Sequence, residues 1–229
     1  MSMQSKLKVR GIFMLIAFSV LLVVIFMPVF PGKVNGLDYM DNLFNMISKG
    51  SSYFIPKAMK DSEQFAGKMI DVKVAMTDDK QAADAAKLLE VNGAKATVSG
   101  KDVVIKADIG LMMKGGLEDA DFMFKNDGKP VADKYGFSEK QAMFIWHTLF
   151  RKISADLTKQ QKFNEAKSLS NVQKKALEPA YNYYGVDAKN WNENLGLIIF
   201  ALAFYVFYTL WYGFGLMWLF EGLGLKIGH

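Results

Sequence analysis

No cysteine occurs in the 229 residues, and there are only two histidines and five prolines. Without a thiol, this chain alone forms no disulfide, no Cys-ligated zinc site, no iron–sulfur cluster and no covalent haem link, and it performs no thiol catalysis. His147 and His229 fit neither an H-x-x-x-H nor an H-E-x-x-H spacing, so no metal site is expected. His147 instead reads as a packed or interface side chain. The 11 asparagines between residues 32 and 194 include no N-x-Ser/Thr acceptor, which points to a setting without N-glycosylation such as a bacterial inner membrane. No nucleophile, base and orienting group form a recognisable set, and a non-catalytic role is expected.

Charge is missing from two long stretches, Gly11 to Pro31 and Leu195 to Phe220, neither of which holds an Asp, Glu, Lys or Arg. A helix rises 1.5 Å per residue and a bilayer core is about 30 Å thick, so roughly 20 apolar residues span it. Transmembrane helices are therefore expected at 11–31 and 195–220. Lys6, Lys8 and Arg10 precede the first, whereas Pro31, Gly32 and a single Lys33 follow it, which puts residues 1–10 in the cytoplasm. Residues 221–229, with Lys226 and His229, return to that side, and residues 32–194 face the periplasm. A cleaved signal peptide is the rival for the first stretch. Ile12 to Met27 is longer than a usual signal core and no small-x-small site follows, so an uncleaved anchor is expected.

Net charge is +5, yet residues 32–194 carry 24 Lys and Arg against 22 Asp and Glu, interspersed. The pI near 9.1 reflects the flanks of the anchors more than a binding face, and nucleic acid is not an expected partner.

Within residues 32–194, Leu37, Met40, Leu43, Phe44 and Ile47 recur at helical spacing up to Gly50. Ile70, Val72, Val74 and Met76 alternate as a strand. A helix follows, capped at Thr77 and ended by Gly93. Ala94, Ala96 and Val98 alternate again, Ser99-Gly100-Lys101-Asp102 turns tightly, and Val103, Ile105 and Ala107 return. This β-α-β-β unit, about 69–108, has the general form of half a ferredoxin-like sandwich. The helical part, about 110–190, is expected to contain four features. A short helix between Gly110 and Lys125 is broken by Gly115-Gly116, and Asn126 to Pro130 form a loop. A capping box at Ser138 and Gln141 precedes the apolar stripe of Ala142, Ile145, Trp146, Leu149 and Ile153. A second box at Ser170 and Gln173 opens a helix through Tyr184, kinked or restarted at Pro179. The fold class is thus a membrane-anchored α+β protein, two transmembrane helices flanking an extracytoplasmic domain.

Three groups of residues suggest chemistry. Fourteen methionines, including Met112-Met113, could offer thioethers to Cu(I), but methionine more simply fills cores and interfaces. Asp78-Asp79 and Glu118-Asp119-Asp121 read as capping or solvated charge. The second span is crowded with aromatics, and Tyr205, Tyr208, Thr209 and Tyr212 carry hydroxyls that favour a protein or quinone contact over hydrocarbon. Partner contacts are accordingly expected at Tyr205, Tyr208, Trp211, Tyr212 and Trp218, with Trp146 and His147 outside the span. No resident cofactor is expected, although a quinone or lipid could touch the second span. The expected function is a non-catalytic accessory or scaffolding subunit of an inner-membrane complex, in a hetero-oligomer with other integral membrane proteins and in contact with lipid. A ligand-sensing subunit acting through a partner chain, a membrane-anchored enzyme and a copper-handling factor are the alternatives.

Overall fold

Alternating burial at Ile70, Val72 and Val74 makes β1 (Met69–Ala75), and the same rule makes β3 (Asp102–Asp108) with Val103, Ile105 and Ala107 inward. The computed structural model describes residues 2–225, so Lys226 and His229 lie outside the described residues. The chain divides into two compact units, Ser48–Ala188 and Met1–Ile47 with Lys189–His229.

In the Ser48–Ala188 unit, β2 (Lys95–Ser99) and β1 flank β3 in a three-stranded, fully antiparallel sheet of order β1-β3-β2. Gly100, at φ +57°, makes the two-residue turn between β2 and β3. The helix α4 (Asp79–Val91) connects β1 to β2 and packs on the sheet, as does the later α7 (Glu139–Lys159). The opposite face is wet and charged, with Lys106 on Asp71 at 3.1 Å and Lys73 on Asp102 at 2.8 Å. The cap of α4 is Asp78 rather than Thr77. Its Oδ1 accepts from the Gln81 backbone N–H at 2.8 Å, while the Thr77 N–H donates to Gln81 Oε1 at 2.9 Å. Gly93, at φ +81°, follows the end of the helix.

Several helical expectations need correction. Two helices not expected from the pattern are present, α3 (Ile55–Ser62) and α6 (Lys129–Tyr135), each with proline in its first turn, where the missing N–H costs nothing. α5 (Ile109–Phe124) runs unbroken through Gly115 and Gly116. Those glycines serve close packing: a Cβ on Gly115 would lie 2.3 Å from Asn92 Oδ1, and one on Gly116 would lie 3.1 Å from the Phe150 ring. Ser138 caps α7, accepting from the Gln141 N–H at 3.3 Å. Ser170 caps nothing, because it lies inside α8 (Phe163–Val172). The chain then widens into a π-helical turn, Gln173–Leu177, before α9 (Glu178–Asn182). The ring of Pro179 would clash with the carbonyl four residues back, and the wider turn relieves that clash without ending the helix. Buried residues from Ile55 to Ala180 form one contiguous cluster, so sheet and helices share a core.

The other unit contains α1 (Met3–Phe26), α10 (Leu195–Gly222) and most of α2 (Gly36–Ser51). Both α1 and α10 are long and apolar enough to cross a membrane. Their limits differ from the charge-free runs. Ser2 caps α1, which therefore includes Lys6, Lys8 and Arg10, and Pro28 holds Met27 extended at ψ 147°, which stops the helix at Phe26. α2 passes through Gly50 and ends at Ser51.

Candidate functional site

Glycine sets the spacing of the α1–α10 pair. A Cβ on Gly11 would lie 2.5 Å from the Leu219 backbone nitrogen, one on Gly222 2.3 Å from that of Lys8, and one on Gly215 3.1 Å from Leu15 Cδ2. Without side chains at these points the two antiparallel helices touch backbone to backbone, the usual means of bringing apolar helices together where water supplies no drive. Aromatic packing continues the seam. Phe18 stacks on Tyr208 with ring centroids 4.4 Å apart and meets Tyr212 at 5.0 Å, and Trp211 Nε1 donates to the Met14 carbonyl at 3.2 Å.

Three of the expected partner contacts, Tyr208, Trp211 and Tyr212, are therefore at least partly engaged within the hairpin. Trp218 is half-buried and lies against Phe214, centroids 6.3 Å apart. Tyr205 differs. It is 67% exposed, and its hydroxyl has no hydrogen-bond partner among the described residues. Around it Leu202, Val206 and Phe207 are also exposed, so α10 presents an unshared apolar surface with one polar group on it.

Buried polar clusters lie in the Ser48–Ala188 unit. Asp119, read from sequence as capping or solvated charge, is 1% exposed. Its Oδ2 accepts from the Tyr135 hydroxyl and, at 2.7 Å, from Trp146 Nε1, while its Oδ1 accepts from Lys134 Nζ at 3.0 Å. Asn92 Nδ2 donates to the Tyr135 oxygen at 2.8 Å and Lys134 donates to Asn92 Oδ1 at 3.0 Å, so α4, α5, α6 and α7 meet in one saturated network. Burial, then the Asp119 charge, raises the Tyr135 hydroxyl far above its ordinary pKa. Trp146 is committed to this core and offers no surface to a partner.

Lys49 is also buried. Its ammonium donates to Asn126 Oδ1 at 2.8 Å and to the carbonyls of Tyr183 and Val186 at 3.1 and 2.6 Å, using its three protons on uncharged oxygens. The Phe124 ring lies 5.2 Å away. Burial lowers its pKa, opposed in part by the charge of Asp187. Asn126 completes the clasp: its Nδ2 donates to the Val186 carbonyl at 3.1 Å and its Oδ1 accepts from the Gly185 N–H at 2.8 Å. Lysine and asparagine so far apart in sequence give no local signal of this arrangement.

His147 Nε2 lies 2.8 Å from the Gln173 side-chain amide and 3.1 Å from Glu178 Oε1, beside the π-helical turn. Among the described residues no three His, Asp or Glu side chains are placed to hold a metal ion. Met112, Met113 and Met143 are core residues, and Met113 Sδ accepts from Ser168 Oγ at 3.4 Å. Asp121 is tied to Tyr53 and Lys125, both at 2.6 Å, and Glu118 to Lys114 at 3.8 Å. No family model matches the chain, and neither the curated proteins nor the solved structures give a match to it.

Proposed function

We propose that this protein is a membrane-anchored, non-catalytic docking subunit of a bacterial inner-membrane complex, held through the α1–α10 hairpin, with its α+β unit capping partners on the periplasmic side. The observation that carries the reading is the outer surface of the hairpin. In the most apolar 18-residue windows of α1 and α10, only 6% and 0% of residues are buried. Apolar area left in water costs about 25 cal/mol per Å², so such a surface calls for lipid or other apolar helices. The basic flank at Lys6, Lys8 and Arg10 favours a cytoplasmic N-terminus. Tyr205 is the favoured point of partner contact, since its hydroxyl gains a hydrogen bond from a neighbouring helix that hydrocarbon cannot provide.

Extraction in a mild neutral detergent and native sizing test the reading. The expected result is a particle well above 25.7 kDa with stoichiometric amounts of other membrane polypeptides. Exchange of Tyr205 for Leu is expected to reduce their retention while the circular dichroism spectrum is unchanged. A clean monomer after gentle extraction would refute the proposal.

A further inference from the structure

α3 and α8 turn polar stripes toward one another across a cleft of about 460 Å³ in the Ser48–Ala188 unit. The α3 side brings Lys57 and Asp61, with Lys68 beyond it; the α8 side brings Lys167 and Asn171, with Lys175 one turn further in the π-helical segment. Ala58, Phe65 and Val172 form an apolar floor. Four lysines thus line a concave space together with one carboxylate residue. Lys68 has a loose ion pair with Glu165 at 3.9 Å, whereas Lys57, Lys167 and Lys175 have no acidic partner within ion-pair distance among the described residues. Facing helices normally bury apolar stripes; here their facing sides carry exposed lysines that outnumber the one carboxylate beside them, which favours an anion.

We infer that this cleft binds a phosphate-bearing anion of two or more negative charges. Its volume falls in the range of small-molecule sites and is too small to enclose a folded partner. All its cations are lysines, compact point charges that suit a rounded polyanion, and it has no arginine fork for planar carboxylates. Phe54, 47% exposed at the rim, gives an apolar surface for the organic part of the ligand. The same phosphate chemistry is offered by a soluble metabolite and by a lipid headgroup. The site lies within one unit and goes beyond the docking role proposed above.

The test uses the full chain in neutral detergent, with sodium pyrophosphate added at matched ionic strength and thermal melting as the readout. Pyrophosphate should raise the Tm of the parent protein, and the double variant K167Q/K175Q should bind it about tenfold more weakly or worse, two charge-assisted contacts being lost. The variant D61N removes the one carboxylate opposing the anion and should bind pyrophosphate more tightly than the parent, a gain that misfolding cannot imitate. Dihexanoyl phosphatidic acid and glycerol 3-phosphate separate the sources: tighter binding of the lipid assigns a headgroup, and equal binding assigns a soluble phosphate. Absence of any Tm response to all three probes, or equal responses from the parent and K167Q/K175Q, overturns the site.

Discussion

A single carboxylate, Asp119 on α5, is bonded by side chains of α6 and α7, with the end of α4 joined through Asn92, and its energetics follow from its isolation from water. Replacement by Ala leaves the Tyr135 hydroxyl and the Trp146 N–H without their acceptor and the Lys134 ammonium with Asn92 Oδ1 alone. Loss of a buried, charged hydrogen-bond partner costs about 3–5 kcal/mol, and chemical denaturation of Asp119→Ala is expected to show a loss of that size. Tyr135 adds a pH dependence. Its folded pKa is raised, so its contribution is fully present below the unfolded value of about 10 and is lost as pH rises above it, because the unfolded chain releases a proton that the folded chain retains. Tyr53, raised by burial and then by its hydrogen bond to Asp121, acts in the same direction. Stability measured by denaturant titration should therefore fall more steeply above pH 10 in the parent than in Tyr135→Phe. None of this was visible in sequence, where Asp119 stands between Glu118 and Asp121 in what resembles a solvated cluster; its burial depends on partners supplied by α6 and α7.

Among elements, the strands were the most legible, because alternation such as Ile70, Val72 and Val74 is a local pattern that the sheet preserves. The Ser138 cap and the amphipathic α7 were legible for the same reason. Glycine misled at Gly115-Gly116, since the residue that breaks a helix by propensity also admits a neighbour by its lack of a Cβ, and only the tertiary structure decides which effect prevails. At Gly115 the two can be weighed. Ala would gain about 1 kcal/mol of helix propensity but would drive its Cβ into the Asn92 amide, which bonds Tyr135 and Lys134. Gly115→Ala is expected to lower the melting temperature despite that gain. The π-helical turn was hidden in a different way: Pro179 announced an irregularity, and the chain placed it one turn earlier, at Gln173–Leu177.

For the whole molecule, the charge-free runs foretold two long apolar helices, while their mutual packing through Gly11, Gly215 and Gly222 required the structure. The lysine cleft was equally hidden, because Lys57 and Lys167 are ordinary surface residues until α3 and α8 face one another. The proposed orientation is open to direct measurement because the chain has no cysteine. A single Lys101→Cys substitution, at the exposed turn between β2 and β3, should react with a membrane-impermeant maleimide added outside intact spheroplasts; reaction only after lysis would reverse the topology. The Lys49 clasp has a broader consequence. By joining residue 49 to residues 183 and 186, it fastens the first and last segments of the α+β unit at a single seam. A stretch of chain that leaves where it arrived behaves as a cassette: it can be spliced into one surface loop of an unrelated host without prising that host apart.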